Sequence, residues 1–283
     1  GGGKVLDSGK LLGHRLDIPC ITIPTSAATC AGWTALSNIY SPDGAFIKDI
    51  VLRECPELLI FDHNIVRTAP PRTLASGIAD ALAKWYESSI TSANSNDGLV
   101  QQAVQMARVL RDQLLIDGAK AFYDSNSSEW IRISEACALT AGLIGGIGGA
   151  NCRTSAAHAI HNGLTQIKVR NKSLHGELVS FGILTQLRLE ETLGGNKLAK
   201  HSRKQLIKLI TNLNIPITLK ELGFDKGNIK SILSASIFSC NPNSEIHNLP
   251  FKVDPENILK SILYIDEEAT TIKNNLFAER SNS

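Results

Sequence analysis

The residues best suited to chemistry in this sequence are three histidines that lie close together. His158, His161 and His175 are three of the seven histidines of the chain. His158 and His161 are spaced i, i+3 among alanines, which predicts a helix with both imidazoles on one face. Gly163 suggests the end of that helix, and His175 returns near the start of another. Two imidazoles from two helices would form most of a first-row metal site, whereas satisfied core or surface histidines would carry no chemistry.

Asp80 is a carboxylate in an unusual setting. It lies within a stretch of small and apolar residues, 77–85, where an ionised side chain is costly unless it is paired or bound to a metal. Two simpler interpretations are equally open. The residue is at an exposed position of its helix, or it forms a salt bridge with Lys84 one turn later.

A second candidate site lies at the start of the sequence. Gly1-Gly2-Gly3 leads into residues 4–12, whose apolar side chains recur at helical spacing. A glycine-rich turn that opens a helix presents N–H groups to an anion, commonly the pyrophosphate of a dinucleotide in an α/β sheet. Three glycines are also consistent with the remnant of an expression tag. Because no strand precedes them, we expect the sequence to begin inside a domain whose first part is absent.

The elements that position these residues change in type along the chain. Short strands are predicted at residues 18–24, 35–40, 45–52 and 57–62. Ser41-Pro42-Asp43-Gly44 predicts a turn that joins the middle two as a hairpin. Pro70-Pro71 indicates a domain boundary. Helices are predicted beyond it at residues 72–90, 96–115, 130–147, 197–213, 226–238 and 255–273. We therefore expect two domains, an incomplete first one over residues 1–70 and a helical one over residues 71–283.

The glycine-rich stretch 142–149 invites comparison with a phosphate loop. Its glycines do not fit the GxGxxG register, and no strand precedes them. Close packing of a helix against its neighbours is the interpretation that the pattern favours.

Composition excludes several classes of protein. A chain of 283 residues is long enough for two domains, and 29 basic residues balance 27 acidic ones without a long basic run. This balance argues against nucleic acid as a partner. No uninterrupted apolar segment approaches the length of a membrane span. The six cysteines form no CxxC pair, which indicates a reduced, cytoplasmic protein.

Taken in order, these motifs resemble the iron-containing (group III) alcohol dehydrogenase superfamily, and most of all its glycerol dehydrogenase-like branch with the hydroxycarboxylate dehydrogenases. The resemblance covers nearly the full length. Its markers are the segments 1–7 (GGGKVLD), 24–25 (PT), 35–40 (ALSNIY), 77–82 (GIADAL), 156–163 (AAHAIHNG) and 175–177 (HGE).

The resemblance implies a dehydroquinate synthase-like architecture, with the remainder of a nucleotide-binding α/β domain over residues 1–70 followed by an all-α, metal-binding domain over residues 71–283. It implies a divalent metal held by Asp80, His158 and His175, since the ligand comes first in the His-x-x-His pair. Lys84 stands where many relatives have a further ligand histidine. A three-ligand site that holds zinc rather than iron is therefore expected. His161 becomes the candidate proton relay.

The resemblance also implies the residues that contact NAD or NADP. On the pyrophosphate side these are Gly2, Gly3, Lys4, Val5 and Asp7. On the ribose and nicotinamide side they are Thr25, Ala28, Thr34, Leu36 and Tyr40. The choice between NAD and NADP depends on the segment before Gly1, so the sequence leaves it open.

Cys30 marks a departure from the glycerol dehydrogenase pattern. Those enzymes carry an aspartate in this loop, which accepts hydrogen bonds from a polyol, and a thiol does so poorly. We therefore assign Cys30 to the substrate side of the catalytic site. An α-keto or α-hydroxy acid becomes at least as good a substrate as glycerol.

The predicted function is a metal-dependent, NAD(P)-linked oxidoreductase that interconverts a small alcohol, either a polyol or a 2-hydroxy acid, with its carbonyl compound. The resemblance also implies a homo-oligomer. Two alternatives stay open. A dehydroquinate synthase-like lyase would need a basic pocket for a phosphorylated substrate, for which Lys84 and Arg153 are candidates. A truncated relative without activity would keep the fold as a binding or subunit protein.

Overall fold

The computed structural model describes residues 1–168 and 173–281. Contacts between Cα atoms divide the chain into two compact units, Gly1–Arg153 and Thr154–Ser283. All strands in the described residues lie before the boundary predicted at residue 70, and only helices follow it as regular secondary structure. Its assignment as the limit between a nucleotide-binding and a metal-binding domain stays a prediction.

Four short strands form two small sheets in the first unit. Strands β1 (Ile21–Thr22) and β4 (Leu58–Leu59) pair in parallel. Strands β2 (Leu36–Tyr40) and β3 (Phe46–Val51) pair antiparallel and confirm the predicted hairpin. Gly44 closes its turn with φ of 91°, a conformation that favours glycine. β1 is shorter than predicted, because Pro19 and Pro24 lack the N–H groups that a longer ladder would use.

Six helices complete the first unit. They are α1 (Gly3–Leu16), α2 (His63–Arg67), α3 (Pro71–Thr91), α4 (Gly98–Tyr123), α5 (Ser128–Glu135) and α6 (Ala141–Gly148). Pro71 opens α3 at a position where no intrahelical N–H is needed. Asp97 caps α4, since its carboxylate accepts a hydrogen bond from the backbone N–H of Leu99 at 2.8 Å. A π-helical turn over residues 136–140 joins α5 to α6.

The continuous helical stretch Ser128–Gly148 has a mean hydropathy of 1.2 and is long enough to cross a membrane. Half of it is buried within the protein, as the core helix of a globular domain would be. The predicted absence of a membrane span stays a prediction.

The glycines of α6 allow the helix to pack closely on its neighbours, which is the interpretation that the sequence pattern favoured. A Cβ atom at Gly142 would lie 3.4 Å from the Cβ atoms of both Cys30 and Trp33. A Cβ atom at Gly148 would lie 2.8 Å from Ala103 of α4, a contact that real side chains essentially never make. The stretch is therefore a helix and not a phosphate loop.

All regular secondary structure in the described part of the second unit is helical, and loops join the helices. Its helices are α7 (Ala156–Leu164), α8 (His175–Thr192), α9 (Ala199–Asn212), α10 (Ile229–Ser239) and α11 (Pro255–Ser281). Arg203 of α9 is fully buried and forms ion pairs with Glu191 of α8 at 2.7 Å and Glu268 of α11 at 2.8 Å. The predicted class, an α/β part followed by an all-α part, is confirmed.

Candidate functional site

Helix α7, which carries two of the three clustered histidines, is held between two other helices. A Cβ atom at Gly182 of α8 would collide with the carbonyl oxygen of Ala157. A Cβ atom at Gly163 would collide with the carbonyl oxygen of Ala235 in α10. The helix continues through Gly163 to Leu164, so this glycine permits close contact and does not end the helix. Such contacts leave α7 little freedom to rotate about its axis.

A hydrogen-bond network fixes the start of α7. The backbone N–H of Ala157 donates to Oε1 of Gln186 at 3.0 Å, and Nε2 of Gln186 donates to Oε1 of Glu190 at 3.0 Å. Nδ2 of Asn196 donates to the other oxygen of Glu190 at 2.8 Å. Burial raises the pKa of the Glu190 carboxyl. His158 follows Ala157 directly, so the network holds the backbone of a candidate metal ligand.

The three histidines form one cluster within the second unit, as their spacing predicts. His175 is the first residue of α8. Its ring centroid lies 5.6 Å from that of His158 and 4.3 Å from that of His161. His158 and His175 each offer a ring nitrogen within 4.8 Å of the other. His158 is 8% exposed and His161 is 2% exposed, so the cluster is largely shielded from water.

A chain of hydrogen bonds determines the tautomers of His161 and His175 in their neutral forms. Nδ1 of His161 lies 2.9 Å from Oδ1 of Asn162, which can only accept, so Nδ1 of His161 carries the proton. Nε2 of a neutral His161 is then the acceptor for Nδ1–H of His175 at 3.0 Å. Nε2 of a neutral His175 consequently presents its lone pair. This is the form of imidazole that binds a metal.

Glu177 stabilises the helix end that carries His175. Its Oε2 accepts a hydrogen bond from the backbone N–H of Leu174 at 2.7 Å, and the side chain is almost fully buried. A carboxylate in the first turn also interacts favourably with the helix dipole. Sequence reasoning did not assign a role to Glu177, although an acidic residue two positions after a helix-opening histidine is a recognisable capping signal.

Asp80 lies on α3 in the first unit and is only 4% exposed, so the interpretation as an exposed helix position is wrong. The salt bridge with Lys84 is not formed either. Within the described chain, the Lys84 ammonium donates instead to the carbonyl oxygen of Arg153 at 3.1 Å. A Cβ atom at Gly77 would collide with the carbonyl oxygen of Ala27, so α3 packs directly on the predicted ligand loop.

Cys30 is buried in the first unit. Burial raises the pKa of its thiol, the Lys84 charge opposes that effect, and the Asp80 charge adds to it. Burial also raises the pKa of Cys137 well above its ordinary value, with a contribution from Asp80. Both side chains therefore remain neutral thiols at pH 7, and Cys30 has no thiolate with which to act as a nucleophile or base.

The predicted pyrophosphate residues lie at the start of α1. Gly2 is the residue before the helix and Gly3 its first residue. A Cβ atom at Gly3 would lie 2.8 Å from the methyl group of Thr29, so glycine lets α1 pack on the predicted ligand loop. Among the described residues, the first turn of α1 contains no acidic side chain to oppose an anion. Val5 is exposed and the Lys4 ammonium lies 5.0 Å from the ring centroid of Tyr40.

Lys10, which sequence reasoning missed, connects the two halves of the predicted cofactor site. Its buried ammonium pairs with the Asp7 carboxylate at 3.0 Å and donates to the carbonyl oxygens of Thr34 and Leu36. The Asp7 carboxylate also accepts from the backbone N–H of Asn38 at 3.3 Å. Asp7, Thr34 and Leu36 are thus brought together by one cation. The predicted contacts of these residues, Thr25 and Ala28 with a cofactor stay predictions.

Comparisons with known proteins agree with this description. Residues 1–63 match the sequence profile of the family described as iron-containing alcohol dehydrogenase. A Synechocystis protein described as an uncharacterized oxidoreductase is 49% identical over 272 residues, which cover 95% of this chain and 71% of that protein. Hydroxycarboxylate dehydrogenase A of Escherichia coli is 34% identical over 265 residues, covering 91% of this chain and 71% of that enzyme.

Among solved structures, glycerol dehydrogenase from Schizosaccharomyces pombe superimposes with a TM-score of 0.86 at 30% identity. The match covers 97% of this chain and 70% of that one. The order of the sequence motifs, the fold and these relatives agree. The chain therefore belongs to the iron-containing alcohol dehydrogenase family and is an alcohol dehydrogenase-like oxidoreductase of its glycerol dehydrogenase-like branch.

Proposed function

We propose that this protein is a zinc-dependent, NAD(P)-linked dehydrogenase that interconverts a small polyol or 2-hydroxy acid with its carbonyl compound. The observation that carries the proposal is the hydrogen-bond chain from Asn162 through His161 to His175. It leaves Nε2 of His175 as a lone-pair donor, and His158 offers a ring nitrogen within 4.8 Å of a ring nitrogen of His175. One neutral imidazole so prepared, with a second ring nitrogen close to it, is suited to a divalent metal.

Asp80, His158 and His175 would hold that metal. The fit is supported by the tautomer of His175 and by the burial of Asp80, a carboxylate that is costly to bury without a cation or a hydrogen bond. Two nitrogens and one oxygen form a common ligand set for catalytic zinc and leave one position open. A bound metal would supply Lewis-acid polarisation of the alcohol or carbonyl oxygen of the substrate.

The cofactor would lie against the start of α1 and the loop after β1. Gly2 and Gly3 allow its pyrophosphate to approach the backbone N–H groups, and Lys4 and Val5 would lie beside it. Asp7, Thr25, Ala28, Thr34, Leu36 and Tyr40 would contact or support the rest of the cofactor. Bound NAD(P) would accept or donate the hydride, and the protein would orient the substrate toward it.

His161 is better suited to hold His175 in place than to relay a proton. In its neutral form both ring nitrogens are engaged, one by Asn162 and one by His175. A proton relay would have to break one of these bonds. The neutral Cys30 thiol would contact the substrate without taking up a proton.

The cellular location, oligomeric state and partners of the protein are also proposed from the sequence and its relatives. We place it in the cytoplasm as a homo-oligomer that acts on a small molecule and has no nucleic-acid or membrane partner. The even balance of charge and the unpaired cysteines support that assignment. A lyase of the dehydroquinate synthase type and a non-catalytic relative are the rival functions.

The test is turnover of NAD(P)H with a panel of small ketones and 2-oxo acids by the zinc-loaded protein. We expect oxidation of NADH or NADPH coupled to reduction of a carbonyl, and loss of both activity and zinc in His158→Ala. Release of inorganic phosphate from a phosphorylated substrate would instead identify a lyase. A protein that binds neither zinc nor NAD(P)H would be the non-catalytic relative.

A further inference from the structure

Two cations in the first unit form no ion pair with a carboxylate in the part of the chain that the structure describes. Lys84 is 4% exposed, and its ammonium has one acceptor in the described chain, the carbonyl oxygen of Arg153 at 3.1 Å. Nε of Arg153 is buried, and within the described residues it has no hydrogen-bond partner. Neither cation forms an ion pair with any carboxylate that the structure describes. A buried lysine is therefore bonded to the backbone of a partly buried arginine, and neither cation has a carboxylate partner among the described residues.

This arrangement is costly unless an anion binds there. An ammonium carries three N–H donors, and the single carbonyl acceptor of Lys84 satisfies only one of them. Buried charges are normally paired, because removing an ion from water costs several kcal/mol that only an opposite charge recovers. A bound anion would satisfy the remaining donors of Lys84 and would give Nε of Arg153 an acceptor.

Lys84 lies near two residues proposed for the site, Asp80 and Cys30. Lys84 follows Asp80 by four residues on α3, so both side chains leave the same face of the helix about 6 Å apart along its axis. The Lys84 charge also acts on the buried Cys30 thiol and lowers its pKa against the effect of burial. Because Cys30 stays neutral, it supplies no charge that could pair with Lys84.

We propose that Lys84 and Arg153 bind the carboxylate of the substrate, which is then a 2-oxo acid in reduction and a 2-hydroxy acid in oxidation. The inference rests on the proposed dehydrogenase function and narrows its substrate class. The carboxylate of such a substrate is bonded to the carbon that reacts, so its cation must lie near the metal ligands. Arginine presents two parallel N–H donors to a carboxylate, and lysine adds a point charge.

The test compares substrates that differ only in this carboxylate. Pyruvate and hydroxyacetone share the CH3–CO group and carry a carboxylate or a hydroxymethyl group beside it. 2-Oxobutyrate and 1-hydroxy-2-butanone form a second such pair. Kinetics are measured on the zinc-loaded protein with NADH and NADPH, for wild type, Lys84→Met and Arg153→Gln. Arg111→Gln is the control, because Arg111 stacks at 4.6 Å on Trp85, the neighbour of Lys84, and pairs with Asp112.

We expect wild type to prefer the oxo acids. Lys84→Met should lower kcat/KM for the oxo acids about 10- to 100-fold, the usual loss for a hydrogen bond to a charged group, mainly through KM. Its kcat/KM for the hydroxyketones should stay within about threefold of wild type. Arg153→Gln should act in the same direction, and Lys84→Arg should restore part of the loss. Arg111→Gln should change neither class.

Other outcomes separate the inference from the proposed function. A wild-type protein that reduces hydroxyketones but not oxo acids would overturn the carboxylate site and leave the dehydrogenase in place. Equal losses for both classes in Lys84→Met, with a lower melting temperature, would show that Lys84 supports the fold and overturn the inference. A zinc-loaded protein that reduces neither class would overturn the proposed function and this inference with it.

Discussion

Replacing His161 with phenylalanine should weaken zinc binding without removing any ligand. The substitution deletes the acceptor for Nδ1–H of His175, a bond of 3.0 Å inside a cluster where His161 is 2% exposed. A hydrogen bond of this kind contributes about 0.5–1.5 kcal/mol. The His175 ring also regains the tautomer that places its proton on Nε2, where it blocks the metal. Loss of such an outer partner typically lowers metal affinity about 10- to 100-fold, or about 1.4–2.7 kcal/mol.

Two measurements on this variant distinguish positioning from a structural role. Competition with a chromophoric chelator gives the zinc dissociation constant of wild type, His161→Phe and His161→Gln. The glutamine variant should recover part of the affinity, since its amide oxygen can accept the same proton. Nitrogen-15 NMR of the metal-free protein reports which nitrogen of His175 carries that proton.

His201→Gln, an exposed position on α9, serves as the control and should bind zinc as wild type does. The reasoning is refuted if His161→Phe binds zinc as tightly as wild type. It is equally refuted if His175 in wild type carries its proton on Nε2.

Three further predictions concern the framework of the site. Arg203→Met should lower the free energy of unfolding by about 1–3 kcal/mol in denaturant titrations, since Glu268 loses its cation while the partly exposed Glu191 keeps its ion pair with Arg188. Lys260→Met, at an exposed pair, should leave the midpoint unchanged. Gly182→Ala should lower the free energy of unfolding by about 1–3 kcal/mol and should weaken zinc binding, because its methyl group would displace α7 at Ala157. Gly9→Ala, on an exposed face of α1, should raise the free energy of unfolding by about 0.5–1 kcal/mol. Burial raises the pKa of Glu190 in the folded state above its unfolded value of about 4.5. The free energy of unfolding of wild type should therefore fall relative to that of Glu190→Gln as the pH rises from about 4.5 through the raised pKa. Parallel curves of unfolding free energy against pH for the two proteins would contradict the assignment.

The sequence predicted those features that depend on local spacing. The i, i+3 pair His158 and His161 lies on a helix, and His175 begins the next one, as their spacing predicted. The turn at residues 41–44 required only its own proline, aspartate and glycine. The order of such motifs was enough to identify the family.

Features that depend on packing between distant segments could not be predicted. The pattern around Asp80 fits an exposed or a buried position equally well, and only the packing of α3 on residues 27–28 decides between them. The burial of Lys10 and its bonds to Thr34 and Leu36 join residues more than twenty positions apart. The hydrogen bond between His161 and His175 likewise depends on how α7 and α8 meet.

The central claim is that Asp80, His158 and His175 hold one divalent metal. The most direct test is the zinc content and zinc affinity of wild type beside Asp80→Ala, His158→Ala and His175→Ala, each shown to be folded by circular dichroism. The account predicts about one zinc per wild-type chain and a loss of tight binding in all three variants. Tight zinc binding that persists in the folded variants, or a wild-type protein that binds no divalent metal, would contradict it.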